Sequence, residues 1–357
     1  MNEHSILPPS SAARRVACPG SRAMESFYPE DSSPHAVEGT AAHWVAMKLL
    51  KGESVSTGDK TPNNEIVTAE MLEGAMLYRD CVNENNQGAD IFLTEILLSA
   101  SDIHPEAWGT ADCVMFGGGM GMHVFDYKFG HKYVSATENW QLIYYAAAAC
   151  QTFMIKPTKI TLWIIQPRYY GAEGKIRKWV ISYAELQIYI ATLKKVEAEA
   201  MQEKAPLRPS SECGFCTARH ACPALQNSTA MIADFTKTVA QDDLSATQVG
   251  KELKLLLSVQ EVLKARISGL TNLAENMMMK GERVPYFLMK PGRGATVWKK
   301  SLEEVLELAK LYNVTVKKPL ELITPKQAVD RGLPEFALKE YAEFRPGEMK
   351  LQEDKKC

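Results

Sequence analysis

The chain has 357 residues, 46% of them hydrophobic and 24% charged, with a formal net charge of -2. That is ordinary globular composition, able to form a core of normal size; with no global excess of cations, any contact with nucleic acid requires a local basic patch. No apolar run reaches the ~18 residues of a membrane span, and the N-terminus, "MNEHSILPPSSAARR", lacks the apolar core of a secretory signal.

In chain order, the turn-rich "PEDSSPHA" precedes a helix expected from about Glu38 to Leu50. A loop rich in Gly, Ser, Asn and Pro fills 51–65, and a second helix covers 66–85. The period then changes. "DIFLTEILLSA" reads as a strand, and "TADCVMF" and "MHVFDYK" as two more, joined through "GGGMG" in a hairpin. "NWQLIYYAAAACQTF" is a helix with apolar or small residues on nearly every side. "KITLWIIQPRYY" and "KIRKWVISY" form another hairpin, and a helix over 183–203 follows. This order predicts a mixed α/β core with a partly antiparallel sheet. We place it in residues 1–228, with an accessory, mainly helical domain over 229–357. In that second part, "LSAT" opens a long amphipathic helix over about 246–280. A hairpin is expected in "VPYFLMKPGRGATVWKK", Ser301 and Glu304 have capping-box spacing, Thr324 and Pro325 open another helix, and "GEMKLQEDKKC" reads as a frayed tail.

The segment 109–128 carries the chemistry. Strand side chains alternate, so Asp126 and Lys128 project from one face. If the flanking strands pair around "GGGMG", Asp112 of "GTAD" joins Asp126. Two converging carboxylates suit a hard divalent cation such as Mg2+. Lys128 beside them can orient an attacking water or stabilise charge on a phosphoryl group. Taken alone, an Asp-x-Lys strand is a surface ion pair; the hydrophobic flanks and the second acid argue for the site. Gln141 and Tyr145 lie four apart on one helix face. His43 is a candidate further metal ligand, Glu38 its alternative, and Glu95 a supporting acid.

His43, "GTAD", "DYK" and "QLIYY", in that order, resemble the PD-(D/E)XK nuclease superfamily and within it the RecB-like branch, over roughly residues 10–225. The second acid here is Asp126 in D-x-K form, and "GTAD" stands where a Pro-Asp dipeptide would. The resemblance implies a restriction-endonuclease-like core and a DNA nuclease using Mg2+ or Mn2+. By position Asp112, Asp126, His43 and the Tyr127 carbonyl would hold metal, Lys128 would assist catalysis, and Gln141 and Tyr145 would shape the substrate side. A phage exonuclease of recombination, repair or DNA processing is the first reading. A structure-specific endonuclease on flap or branched DNA, and a non-catalytic DNA-binding scaffold, are the alternatives.

Of eight cysteines, Cys81, Cys113, Cys150 and Cys357 are isolated. Cys213, Cys216 and Cys222 are clustered, and Cys18 in "ACPGS" is a similarly flanked distant partner. In a cytosolic protein, where disulfides are rare, four thiolates suit an iron–sulfur cluster or structural zinc. Their arrangement resembles AddB-type nucleases and CRISPR-associated exonucleases, in which a 4Fe-4S cluster staples the ends of the nuclease domain.

Cations at Lys156, Lys159, Arg168, Lys175, Arg177 and Lys178 alternate with Trp163, Tyr169, Tyr170 and Trp179, a mixture that suits single-stranded DNA or a solvated sheet face. Arg168, Lys175, Arg177 and Lys178 are the candidate DNA contacts, with a second basic stretch at Arg293, Lys299 and Lys300. The accessory part resembles the C-terminal region of a phage-associated family. That implies a protein of the bacterial host cytoplasm with a single-strand annealing or binding protein as partner, and no membrane.

Overall fold

The structure is a computed structural model that describes residues 5–28, 34–119, 121–235, 245–291, 295–300, 302–316, 324–330, 332–345 and 349–353. The chain divides into two compact units, Met1–Gly269 and Leu270–Cys357. No helix among the described residues is long and apolar enough to cross a membrane.

The first unit begins with α1 (Ala12–Ala17), α2 (Ser21–Ser26), α3 (Pro34–Leu50) and α4 (Ala69–Asn85). Strands β1 (Ile91–Ser99), β2 (Trp108–Phe116) and β3 (Met122–Tyr127) follow, then α5 (Trp140–Thr152), β4 (Ile160–Ile165), β5 (Ile176–Ile181) and α6 (Tyr183–Ala200). The five strands form one mixed sheet in the order β1-β2-β3-β4-β5. All neighbours are antiparallel except β3 and β4. A parallel pair cannot be closed by a tight turn, and α5 supplies the crossover. The β2–β3 connection is tight because Gly117, Gly118 and Gly121 take positive φ, and a Cβ on Gly118 would sit 2.1 Å from the Gly88 carbonyl oxygen.

Helices cover both faces of the sheet. Val114, Val124, Leu162 and Ile164 pack toward α5 and α6. Met115, Phe125, Tyr127, Trp163 and Ile165 pack toward α3 and α4. β3 and β4 are therefore buried at every position, as central strands covered on both sides must be. Helix α5 is buried continuously from Leu142 to Cys150, which explains its lack of a polar face. Its start is fixed by Asn139, whose side chain accepts from Leu142 N, and α6 opens with a capping box between Ser182 and Glu185. Arg15 on α1 makes a fully buried bidentate pair with Glu197 on α6, 2.7 Å at each nitrogen, fixing the N-terminal helix against the far end of the unit.

Two further helices close this unit, α7 (Pro223–Phe235) and the start of α8 (Ala246–Met279). The boundary expected after residue 228 lies instead inside α8. The reason is local packing: Val262 and Ala265 bury against Leu225, Arg266 donates to the carbonyl of His220, and a Cβ on Gly269 would meet His220 N at 2.8 Å.

The second unit mixes short helices with two-stranded sheets. Strands β6 (Phe287–Pro291) and β7 (Ala295–Trp298) precede α9 (Leu302–Leu311), α10 (Pro325–Asp330) and α11 (Glu335–Tyr341), followed by β8 (Ala342–Arg345) and β9 (Met349–Glu353). The hairpin expected at 284–300 is corrected here: β6 pairs β9 and β7 pairs β8. The C-terminal "GEMKLQE" is thus a strand partner in part rather than a frayed end. A core of Val305, Leu308, Ala309, Val316, Ala328 and Leu333 holds α9 and α10. Thr324 caps α10, accepting from Gln327 N while Gln327 Oε1 accepts from Thr324 N. Ser301 and Arg293 lie outside the described residues.

Candidate metal centre and four-cysteine pocket

The β2–β3 register pairs Cys113 with Phe125, and continuing it by one residue sets Asp112 opposite Asp126. The ladder stops there because the Asp112 carboxylate takes over a backbone partner: Tyr127 N donates to its Oδ2 at 2.7 Å. Asp126 is 1% exposed, and its Oδ2 lies 2.9 Å from Lys128 Nζ without receiving a well-directed hydrogen bond. Lys128 Nζ also donates to Gln141 Oε1 at 2.9 Å, and Gln141 Nε2 donates to the Tyr145 hydroxyl at 3.2 Å. Alternation along β3 and the four-residue spacing on α5 have brought these four side chains into one chain of contacts.

On the other side of Asp112, α3 presents His43, with Nδ1 at 3.5 Å from Asp112 Oδ2. Glu95 on β1 completes a group of three whose ligand atoms lie within 4.8 Å of one another, His43, Glu95 and Asp112. Glu95 holds a positive φ of 50°, an unusual conformation for a strand residue. Strand β1 pairs with β2 on both sides of it, at Thr94–Cys113 and Ile96–Ala111. Sequence reasoning gave Glu95 only a supporting role; its backbone distortion is a tertiary feature that no local pattern announces. The Tyr127 ring packs on the α3/α4 side, 5.3 Å from the His43 ring and 5.2 Å from that of Tyr78. The hydroxyls of Tyr78 and Tyr127 are buried without a partner among the described residues.

Electrostatics separate the two acids. Burial raises the Asp126 carboxyl, and the charge of Asp112 adds to this against the opposing pull of Lys128. Burial acts on Asp112 in the same sense, but His43, the Tyr127 N–H and Lys128 outweigh it and hold that carboxyl below its ordinary value. Burial would lower His43, yet Asp112 overcomes it and raises the imidazole. Glu95 is raised by burial and then by Asp112. The donor set, one imidazole and three carboxylates with one acid oxygen lacking a directed partner, fits a divalent cation. Glu38, the alternative ligand, is occupied elsewhere: it and Glu70 receive Arg168, at 2.6 Å and 2.7 Å.

The structure also brings together the four cysteines. Cys18, Cys213, Cys216 and Cys222 line a single pocket, a cavity of about 20 Å³, together with Met24, Leu207 and Leu225. Cys18 follows α1, and the other three sit in and after the short 3-10 turns Ser211–Phe215 and Thr217–His220. Backbone N–H groups of Arg208 and Ser210 point at sulfurs, 3.2 Å from Cys18 Sγ and 3.3 Å from Cys213 Sγ. Burial raises the thiols of Cys18 and Cys213 and pushes Cys216 up to about 12. His220 instead packs edge-on to Tyr28, 4.7 Å between ring centroids.

The candidate DNA contacts divide. Arg168 is tied to Glu38 and Glu70 and stacks on Phe129 at 3.9 Å, so its guanidinium is internal. Arg177 is 8% exposed and donates to Val134 O at 2.9 Å and Gln166 Oε1 at 2.6 Å. Both are corrected from surface contacts to structural cations: an alternating charge run does not specify which cation turns inward. Lys175 and Lys178 remain exposed, over the rings of Tyr170 at 5.0 Å and Trp163 at 5.1 Å. A contact not expected from the sequence sets Lys132, just past the β3 site, over the ring of Phe215 at 3.7 Å.

Among solved structures, one titled "Crystal structure of SSO0001" is similar, at 17% identity over 63% of this chain and 89% of that one, with a TM-score of 0.34. The family described as "Protein of unknown function (DUF2800)" matches residues 4–332, and the chain belongs to it.

Proposed function

We propose that the protein is a metal-dependent deoxyribonuclease with a PD-(D/E)XK core of the RecB-like kind. The observation that carries this reading is the buried Asp126 carboxylate, 2.9 Å from Lys128 and opposite Asp112 when the β2–β3 register is continued by one residue, with the His43–Glu95–Asp112 group alongside. Asp112, Asp126, His43 and the Tyr127 carbonyl would hold Mg2+ or Mn2+, with Glu95 available as a further ligand. When bound, the ion would supply Lewis acidity and a water of lowered pKa for phosphodiester hydrolysis. Lys128 would then stabilise charge on the phosphoryl oxygens, held in place by Gln141, which Tyr145 steadies in turn. Exposed Lys132, Tyr133, Tyr170, Lys175 and Phe215 offer cations and stacking rings for a DNA strand.

The four thiols would hold a 4Fe-4S cluster. Their shared pocket and the N–H groups aimed at two sulfurs support it, and soft thiolate ligands suit such a cluster; zinc is the alternative that shares those ligands. Such a group would staple Cys18 to a segment nearly two hundred residues away and contribute folding energy. A phage exonuclease working with a single-strand annealing or binding protein in the host cytoplasm remains the preferred setting, by resemblance of sequence.

Digestion of linear, circular, single-stranded and branched DNA with Mg2+ and Mn2+ tests the reading. Loss of linear DNA with intact circles is expected. Cleavage of circles or flaps would move the assignment to the endonuclease, and no metal-dependent cleavage at all would leave the scaffold reading in its place.

A further inference from the structure

Helix α8 carries an exposed apolar seam. Val249, Leu253, Leu256, Gln260, Leu263, Ile267, Leu270, Ala274 and Met277 follow one another at alternating spacings of four and three residues along Ala246–Met279. This is the heptad pattern of a coiled coil, and it persists for four heptads, about 42 Å of helix. In heptad terms the d positions are Val249, Leu256, Leu263, Leu270 and Met277, and the a positions are Leu253, Gln260, Ile267 and Ala274.

Within residues 246–269 the seam is not the face that packs on Leu225 and His220. That face is Val262, Ala265 and Gly269, all buried. Most seam residues remain open: Val249 is 47% exposed, Leu253 55%, Leu256 49%, Ile267 62% and Leu270 44%, while Leu263, Ala274 and Met277 are half-buried. Leu257 on its flank is 56% exposed. A monomer gains nothing from apolar side chains in water at this regular spacing, whereas a helical partner would bury them.

We propose that α8 pairs with α8 of a second copy of this chain as a parallel, in-register two-stranded coiled coil. Gln260 selects this occupant. It is the one polar residue of the seam and occupies an a position between Leu256 and Leu263. In a parallel dimer of identical chains in register, each Gln260 amide meets the other, and each can donate to and accept from its twin. In an antiparallel pairing, or beside an unrelated apolar helix, the amide would be buried against leucine or isoleucine with nothing to bond. A single polar a position sets register and strand number in this way, and Ile267 at a between Leu263 and Leu270 at d is the arrangement that favours two strands. The extent is also sufficient: with flanking e and g residues, four heptads engage nearly twenty residues of each chain, close to the ~20–30 a side of a standard interface.

Two measurements on the full-length chain test this. Sedimentation equilibrium at micromolar concentration should give a dimer. The Leu256→Lys, Ile267→Lys variant places four ammonium groups in the seam of a dimer and should weaken it by ~100-fold or more. Both side chains are exposed in the single chain, so its circular dichroism should match the parent's, while its thermal midpoint should fall and lose the parent's dependence on protein concentration. Independently, Gln260→Cys should form an interchain 260–260 disulfide under mild oxidation, identified by peptide mass. A monomeric parent, or a dimer that survives the lysine pair, would overturn the proposal. A dimer that yields no 260–260 bond would overturn the parallel register. DNA cleavage plays no part in either readout.

Discussion

At the end of β3 two of the acids already have basic neighbours. Lys128 sits against Asp126, His43 against Asp112, and Gln141 and Tyr145 steady the lysine from α5. In the four-cysteine pocket two sulfurs receive only backbone N–H groups, and burial raises three of the thiols toward the neutral form. The first site is assembled by sheet register. The second joins a segment near the N-terminus to one past residue 210, and a bound group would add the link. Under the proposed function, the first place would serve chemistry and the second would hold the unit together.

The largest effect should separate the two most sharply. Asp126→Ala should lower metal-dependent DNA cleavage by ~10³-fold or more while leaving the melting curve in place, since it removes an acid that burial disfavours. Retained cleavage in a nuclease assay would break the contrast at its chemical end. Cys213→Ser should show the reverse priority. We expect loss of bound iron and visible absorbance, together with a thermal midpoint lower by roughly 10 °C. A variant with unchanged melting would mean that the pocket staples nothing.

Glu197→Ala sharpens the comparison from the protein side. It strands the Arg15 guanidinium in the core, and denaturant titration should read a loss of about 3 kcal/mol. Because α1 leads into Cys18, iron retention should fall in parallel. The smallest effect concerns Glu38. The Arg168 hydrogen bond holds its carboxyl below the ordinary value. Its contribution is therefore present above the unfolded carboxyl value of about 4.3 and is lost as pH falls through the lower folded one. The pair is partly exposed, so this amounts to well under 1 kcal/mol, visible as a flatter acid limb of the stability curve in Arg168→Gln.

Local spacing made much of the first unit legible. The alternation in "VFDYKFG" put Asp126 and Lys128 on one face, the glycines of "GGGMG" closed the β2–β3 hairpin, and the Gln141–Tyr145 step lay on one turn of α5. The cysteine spacing was equally readable, because three of the four are near neighbours in the chain. These features depend on two- to four-residue periods, which the backbone enforces wherever a strand or helix forms.

What the tertiary structure decided depends on contacts between distant segments. Arg168 and Arg177 turned inward because Glu38, Glu70 and Gln166 approach from other elements. Glu95 joined His43 and Asp112 through a distorted strand residue. Strands β6 and β7 left each other for partners near the C-terminus. The heptad of α8 was written in the sequence, but only folding showed which face the body covers and which it leaves open. A sequence fixes the order of side chains along each element; which of them meet across elements is set by burial, and burial exists only once the layers have packed.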